Sequence, residues 1–384
     1  MEKNLLFAAL AVVAMASCTK NELKVPATGT DAVISFQPVV ANATKADYIT
    51  NSTIAPTGDP KSSTFKFTVY AWYTDGAEMT ASTTIATATK YMDAVEVSYK
   101  ARHDDGTPGA TPGATKGQGG WSPATTYYWP KNGYLSFDAY APSAASSDGD
   151  FSPNVEKGLQ IANYTVKDLK QQYDLLYSTR TLNKTTSTGG NNDTYDGVDI
   201  KFKHALSAIE VTAKTYADYG TDAIKLNKVS ILYAYKKGNF SQRMADAITE
   251  GTPAWDNQNT EVDEYVLYDA GATLSDGASL SQTPLKSPAI SNAILLPQDF
   301  DHTTTTTGKI VSIKVDYSIK GTKGYLAQTQ TFKLNTTTVS SAIQNGWEMG
   351  KRYTYNFIFS LEEIYFAPQV AEWTDVTVND IDVK

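Results

Sequence analysis

Apolar and polar residues alternate with a period of two along most of the chain, and the spacing that marks a helix hardly occurs. The clearest example lies near the end, where Tyr353, Tyr355, Phe357, Phe359 and Leu361 are separated by single residues. A strand with this pattern buries one face and leaves the other to solvent, as the strands of a β-sandwich do. The pattern therefore predicts an all-β protein.

Segments rich in glycine, proline and small polar residues separate the predicted strands. Residues 106–120 form one such segment and residues 185–197 form another. Breakers of this kind mark loops. The second loop lies near the middle of a chain of 384 residues, a length that suits two domains after a processed leader. We therefore predict two β-sandwich domains, at residues 32–197 and 198–384.

The composition is that of a folded protein without affinity for nucleic acid. Hydrophobic residues make up 41% of the chain and charged residues 19%, so a core can form. The formal net charge is −8, whereas binding to phosphate groups needs a basic surface. Nucleic acid is therefore not a predicted partner.

The start of the chain is typical of an exported protein. Lys3 precedes an apolar run at residues 5–15, which is too short to span a bilayer as a helix. A short basic start followed by such a run is the pattern of a signal peptide. We place this signal peptide at residues 1–17, and we expect a polar tether at residues 18–31.

Cys18, the only cysteine of the chain, directly follows the small residues Ala16 and Ser17. This sequence looks like a bacterial lipobox, in which the thiol is acylated with chains such as palmitate and becomes the first residue of the mature protein. Acylation removes a lone thiol that would be a liability in an oxidising compartment, and it tethers the protein without spanning the membrane. The alternative is a plain signal peptide with an incidental cysteine.

A series of short motifs resembles one known family, in the same order along nearly the whole mature chain. The motifs are Gly-Trp at 120–121, Tyr-Tyr-Trp-Pro at 127–130, Gly-Tyr-Leu-Ser-Phe at 133–137, Ala-Tyr-Ala-Pro at 139–142, Asp-Leu-Leu-Tyr at 174–177, Phe-Lys-His-Ala-Leu-Ser at 202–207, Leu-Leu-Pro-Gln at 295–298, residues 347–355 and Val-Ala-Glu-Trp at 370–373. They are similar to those of the fimbrillin-like proteins, the type V pilins of Gram-negative anaerobes.

This resemblance implies two tandem transthyretin-like β-sandwiches and a function in a cell-surface pilus, or fimbrium, that contributes to adhesion. It also implies a lipid-anchored precursor at the cell outer membrane, exposed at the surface, whose partners are other pilus subunits and host or bacterial surface ligands. In such proteins a trypsin-like protease removes the first strand, and a strand from a neighbouring subunit fills the groove that remains. No cofactor is implied.

The residues that correspond to the removable first strand are Val33, Ile34 and Phe36. The next basic residue is Lys45, so the bond between Lys45 and Ala46 is the candidate cleavage site. The first arginine is Arg102, and a protease that requires arginine would therefore leave the first strand in place. An ordinary surface lysine in a linker is the alternative for Lys45.

The candidate donor strand lies at the C-terminus and contains Val376, Val378, Ile381 and Val383. The two valines nearest to Trp373 share one phase of the alternation, and the other two residues share the opposite phase, so one straight strand would present apolar residues on both faces. A bulge or two short strands would reconcile the phases. The alternative is that this tail is simply the last edge strand of the second domain.

No catalytic or metal-binding residues are predicted. The three histidines, His103, His204 and His302, lack the spacing of a zinc site, and no phosphate-binding loop is present in the sequence. His204 and Ser207 lie close in sequence, but a nucleophile and base also need a third group and an oxyanion hole. We therefore expect a non-enzymatic protein.

A monomeric surface lipoprotein that binds glycan or a host ligand through its loops is the alternative function. Four neighbouring aromatic residues could form a platform for a sugar, because exposed aromatic rings stack on sugars and anchor interfaces. They are Trp121, Tyr127, Tyr128 and Trp129. Packing in the core is the interpretation that we favour for them.

Overall fold

The computed structural model describes residues 33–40, 64–79, 87–100, 120–185, 197–242, 252–262, 264–271, 277–285, 289–300, 309–335, 345–362 and 364–372. The regular structure in these ranges consists of β-strands and two short 3₁₀ turns, at Ser143–Ser147 and Leu169–Gln171. The predicted all-β sandwich fold is thereby confirmed.

The strands, in chain order, are β1 (Phe36–Val40), β2 (Lys66–Thr74), β3 (Thr89–Lys100), β4 (Gly120–Pro123), β5 (Tyr134–Ala141), β6 (Asp150–Asn154), β7 (Gly158–Thr165), β8 (Leu176–Ser178), β9 (Thr181–Lys184), β10 (Val198–His204), β11 (Ser207–Thr215), β12 (Ile224–Leu232), β13 (Ala234–Ser241), β14 (Ala254–Val262), β15 (Tyr265–Asp269), β16 (Ala278–Ser279), β17 (Ala293–Leu295), β18 (Gln298–Asp299), β19 (Ser312–Gly321), β20 (Gly324–Lys333), β21 (Gly346–Trp347), β22 (Lys351–Phe359) and β23 (Ile364–Glu372).

The first sheet closes on itself. Its strands follow the order β2-β3-β4-β1-β10-β8-β5-β9, and β5 also pairs with β2 along seven residues, from Thr68↔Tyr140 to Thr74↔Tyr134. Seven strands therefore form a ring (β2, β3, β4, β1, β10, β8 and β5), and β9 continues the line of β8 beside β5. In the ring every strand has a neighbour on both sides, although β1 and β4 are joined by the single pair Phe36↔Trp121.

The ring encloses a core rich in aromatic side chains. The buried members include Phe65, Phe67, Trp121, Phe137 and Phe202. Their rings meet mainly edge to face, with the centroids of Phe67 and Phe202 at 5.5 Å and those of Phe65 and Trp121 at 5.8 Å. Such geometry is the favoured one for aromatic pairs, since ring edges are positive and ring faces negative.

The later strands form an open sandwich of two sheets. One sheet has the order β17-β11-β22-β23 and the other β15-β12-β19-β20, with β16 also beside β12. Tyr317 of β19 packs edge-on against Phe359 of β22 at 5.2 Å, and Phe332 of β20 lies 5.3 Å from Phe366 of β23. The strongly alternating sequence of β22 supplies the centre of this core, because Tyr353, Tyr355 and Phe357 are nearly completely buried.

A further sheet, in the order β14-β13-β7-β6, joins strands from both halves of the chain. Strand β10, which begins at the predicted domain boundary, also pairs with β1 and β8 of the first ring. Hydrogen bonds of two sheets therefore run between residues before and after position 197. The division into domains at this residue stays a prediction.

In the part of the chain that the structure describes, no helix is long and apolar enough to cross a membrane.

Candidate functional site

The candidate site consists of the first strand, β1, and the groove in which it lies. β1 pairs in parallel with β10 along its whole length, from Phe36↔Val198 to Val40↔Phe202, and Phe36 is also paired in antiparallel fashion with Trp121 of β4. β1 is thus an internal strand of the closed ring. Because β1 is internal, its backbone N–H and C=O groups form hydrogen bonds with strands on both sides wherever both neighbours reach it.

The residues just before β1 contact β10 and the segment between β4 and β5. The Ile34 N–H donates to the carbonyl of Tyr127 at 2.8 Å, and the Val198 N–H donates to the carbonyl of Ser35 at 2.8 Å. Val33 forms an isolated bridge with Tyr128. These contacts hold residues 33–35 against the ring.

Alternate side chains of residues 34–40 point into the core. Ile34 is 0% exposed, and Phe36 and Val40 are each 1% exposed, whereas Gln37 and Val39 are exposed. The Phe36 ring stands edge-on to Phe67 and Phe137, with centroid distances of 6.0 and 5.7 Å. At about 1.5–3 kcal/mol for each fully buried side chain, Ile34, Phe36 and Val40 contribute roughly 5–9 kcal/mol of apolar burial.

Gly197 lets β10 approach β1 closely. A Cβ atom at this position would lie 2.4 Å from the backbone carbonyl carbon of Phe36 and 2.6 Å from its Cα. Both obstacles are backbone atoms, which cannot rotate away, so a side chain at position 197 would push the two strands apart. At this point the groove admits the backbone of a strand only because residue 197 has no side chain. Any strand that replaced β1 would have to approach Gly197 equally closely.

The sequence predicts the first strand at Val33–Phe36, whereas β1 spans Phe36–Val40, so the two ranges share only Phe36. Of the residues just before β1, Ile34 is buried and Val33 is half-buried. Pro38, a residue that strand patterns do not favour, lies within β1. In the structure Pro38 is buried, stands opposite Ile200 and continues the alternation of Phe36 and Val40. Proline lacks only the N–H, and its fixed φ angle is compatible with extended backbone.

The remaining predicted site residues lie outside the described residues. They are the lipidation site Cys18, the cleavage site Lys45 and Ala46, and the donor-strand residues Val376, Val378, Ile381 and Val383. Lipidation, cleavage and strand donation therefore stay predictions. Lys45 follows the end of β1 at Val40 by a short stretch of sequence, so a cut there would separate β1 from all later strands.

The aromatic cluster near residue 127 belongs mainly to the core. Trp121 and Trp129 are buried, with Trp129 at 6.1 Å from the Phe137 ring. The Tyr91 hydroxyl donates to the carbonyl of Tyr128. Burial, and to a lesser degree the neighbouring Tyr127, raises the pKa of Tyr91 to about 12. The interpretation of these residues as core packing is confirmed for the two tryptophans.

His204 and Ser207, which lie close in sequence, have separate structural partners. His204 Nδ1 lies 2.7 Å from Asp174 Oδ2, and both side chains are buried. The Ser207 hydroxyl donates to the carbonyl of Glu348 at 2.7 Å. These contacts connect β10 to the segment before β8, and the start of β11 to the segment before β22. Among the described residues no group of acidic residues, histidines and cysteines could hold a metal ion.

Sequence inspection missed a buried ion pair that holds the outer face of the ring. Arg180 lies in the short break between β8 and β9, and its guanidinium makes a bidentate contact with Asp138 of β5; the two side chains are 2% and 1% exposed. Trp72 Nε1 donates to the same carboxylate at 3.3 Å, and Arg180 also donates to the carbonyl of Val155 at 2.6 Å. The two partners are 42 residues apart, so no local pattern could have indicated the pair.

The fold and the site together define a class: an all-β protein of packed sheets whose first strand is an internal, deeply buried member of a closed ring. Comparison with known proteins gives the family. The sequence matches the family described as fimbrillin-like over residues 53–373, and the chain belongs to this family.

Solved structures of similar fold include a fimbrial protein from Bacteroides vulgatus ATCC 8482. It has a TM-score of 0.59 and 18% sequence identity, over 90% of this chain and 100% of that one. The tip fimbrial protein Mfa3 from Porphyromonas gingivalis, with a C-terminal truncation, has a TM-score of 0.36 and 10% identity over 80% of this chain and 94% of that one. No curated protein sequence matches the chain.

Proposed function

We propose that the protein is a structural or accessory subunit of a cell-surface pilus and contributes to adhesion. The precursor is anchored in the outer membrane through a lipid on Cys18 and is cut between Lys45 and Ala46. The groove that β1 leaves is then filled by a strand from another subunit. Membership of the fimbrillin-like family supports the pilus function.

The observation that carries the assembly mechanism is the internal position of β1 in the closed ring. Removal of β1 would leave β4 and β10 with free edges and would expose the side chains that line the groove, among them Phe67, Phe137 and Phe202. Free strand edges above an apolar trough attract an extended chain strongly. A replacement strand that restored the three buried side chains would recover most of the roughly 5–9 kcal/mol of apolar burial, before the entropic costs of association.

Limited digestion with a trypsin-like protease tests this mechanism. The protein would start at Thr19, so that it lacks the lipid, and the products would be examined by N-terminal sequencing and by gel electrophoresis without boiling. We expect a new N-terminus at Ala46 and a ladder of resistant oligomers. A Lys45→Gln variant should give neither. Cleavage at Lys45 that leaves a monomer, or a Lys45 that is never cut, would exclude assembly by this route.

The donor strand can be tested in the same experiment with a variant that ends at Glu372. If the tail with Val376 and Val378 donates the strand, this variant is cleaved normally but forms no ladder. If a ladder still forms, another segment supplies the strand.

The lipid anchor needs a separate measurement in cells that carry the full chain. We expect labelled palmitate to be incorporated into the protein, and the protein to be found in the outer membrane fraction. A Cys18→Ser variant should lose both. Equal labelling of the two proteins would show that Cys18 is not the acylated residue.

A further inference from the structure

The terminal strands of the described sheets are protected against pairing with other chains, with one exception. Some are short, such as β9 and β17, and β15 has five residues and ends in an acidic residue. Strands β6 and β23 contain a proline, Pro153 and Pro368. Strand β14 has a register shift against β13 and contains the acidic Asp256. Short length, proline, charge and irregular pairing are the usual means by which proteins block an open sheet edge.

Strand β20 has none of these protections between Tyr325 and Phe332. It is ten residues long and ends its sheet, and its ten pairs with β19 run from Ser312↔Lys333 to Gly321↔Gly324 without a register shift. The sequence Tyr-Leu-Ala-Gln-Thr-Gln-Thr-Phe at 325–332 contains no proline and no charged residue. Leu326 is 63% exposed. The one charged residue of β20 is Lys333 at its end. A long, regular edge that carries no charge over eight residues is a site for addition of another strand.

We propose that the outer edge of β20 pairs with β20 of a second copy of this chain. The two strands run antiparallel, and Thr329 lies on the two-fold axis. In this register Leu326 stands opposite Phe332 twice, and Gln328 stands opposite Gln330 twice. The strand is therefore complementary to itself, as a symmetric interface between identical subunits requires.

The faces of the strand agree with this register. Leu326, Gln328, Gln330 and Phe332 all lie on the face of β20 that is shared with Ile313, Val315 and Tyr317 of β19, because directly paired residues lie on the same side of a sheet. A two-fold axis perpendicular to the sheet keeps this face on the same side in both copies. Apolar residues then meet apolar residues, amides meet amides, and no like charges lie opposite each other.

One acidic residue near this edge is already engaged within the chain. Thr329 Oγ1 donates to Asp316 Oδ1 of β19 at 2.7 Å, and Lys314 Nζ lies 3.5 Å from Asp316 Oδ2. The carboxylate is thus held on the inner side of β20, and does not oppose the approach of a second strand.

Pairs of charged substitutions distinguish a loss of the interface from a general effect of the substitutions on the fold. The protein starts at Thr19 and is not cleaved, and its mass is measured by sedimentation from low to high micromolar concentration. We expect a reversible dimer. The double variant Gln328→Lys, Gln330→Lys places two pairs of lysines opposite each other and should be monomeric. The double variant Gln328→Lys, Gln330→Glu places lysine opposite glutamate twice and should remain a dimer.

Disulfide cross-linking tests the register, because without Cys18 the protein contains no other thiol. A Thr329→Cys variant should form a disulfide-linked dimer on mild oxidation, since directly opposite residues lie within the range of a disulfide. In an Ala327→Cys variant the two thiols would be four residues out of register, roughly 13 Å apart, and should not cross-link.

A wild-type protein that is monomeric throughout, or a lysine–lysine variant that dimerises like the lysine–glutamate variant, would overturn the proposal. So would a chain that dimerises only when it is shortened to end at Glu372, because its own tail would then cover the edge. Since the first strand is retained in all these proteins, failure here is independent of the proposed strand exchange.

Discussion

The closed ring and the open sandwich each contain a parallel pair of strands at the centre of a sheet, but the chain holds the two pairs differently. In the ring, the first part of the molecule, β1 pairs with β10 along five residues. In the sandwich, the second part, β11 pairs with β22 along eight. β11 follows β10 directly through Ala205 and Leu206 and continues towards β12, so it is held by the chain at both ends. A single cut at Lys45 would instead separate β1 from every later strand.

The sheets that contain these pairs also differ. The first is a closed ring, in which the loss of one strand creates two new edges at once. The second is an open sandwich, whose edges exist already and are mostly protected by proline, charge or short length. A closed sheet with one detachable strand can thus remain inert until it is cut, whereas an open sheet must be protected from the start.

Loss of the buried ion pair should weaken the ring most. An Arg180→Met variant leaves the carboxylate of Asp138 buried without its guanidinium, which typically costs about 3–5 kcal/mol. Urea unfolding of the uncut protein measures this cost. The exposed pair of Lys66 and Glu96, whose side chains are 54% and 51% exposed, is the matched control. A Lys66→Gln variant should change the stability by less than about 1 kcal/mol.

Truncation of a core side chain in the segment just before β1 should come next. Ile34→Ala removes a fully buried side chain and should destabilise the uncut protein by roughly 2–4 kcal/mol, whereas Val39→Ala on the exposed face should have almost no effect. Equal stability of the two variants would mean that β1 is not packed as described. After cleavage and loss of β1, the difference between the two variants should disappear.

A smaller effect is expected in the second part of the molecule. Trp347 Nε1 donates to the Tyr355 hydroxyl at 2.8 Å in the buried core. Tyr355→Phe leaves this donor without its acceptor, at a cost of about 1–3 kcal/mol. Hydrogen exchange should localise the loss of protection to β21 and β22. If β1 and β10 lost protection equally, the closed ring and the open sandwich would not open independently of each other.

Alkaline pH should weaken the ring through Tyr91. Burial raises the pKa of this hydroxyl from 10.0 to about 12, so the folded state holds a proton that the unfolded state releases. This contribution to stability is present below pH 10 and is lost as the pH rises from about 10 to 12. A Tyr91→Phe variant should show a smaller fall in unfolding free energy over this range. An unchanged pH profile would mean that Tyr91 does not contribute to the fall.

Periodicity identified many of the strands because each has one buried face. The alternation from Tyr353 to Phe359 corresponds to β22. β1 continues past Phe36 because the buried Pro38 keeps the alternation of Phe36 and Val40. The alternation describes each strand by itself, which is why it predicted the fold class well.

The pairing of the strands could not be obtained in this way. Phe36 lies beside Val198, and Asp138 binds Arg180, although each pair is far apart in sequence. Closure of the ring depends on the pairing of β2 with β5, which no local pattern specifies. The close approach at Gly197 depends in turn on the parallel pair. The groove was therefore expected from the family resemblance, and its shape came from the structure.

The most direct test of a detachable β1 is hydrogen exchange before and after digestion at Lys45, followed by addition of a synthetic peptide with residues 32–42. We predict that the amides of β4 and β10 lose protection when β1 leaves, that β22 and β23 keep theirs, and that the peptide restores the original pattern. A peptide in which alanine replaces Phe36 should restore it poorly. If β10 stays protected after the loss of β1, or if the whole chain unfolds, β1 is not a replaceable member of the ring.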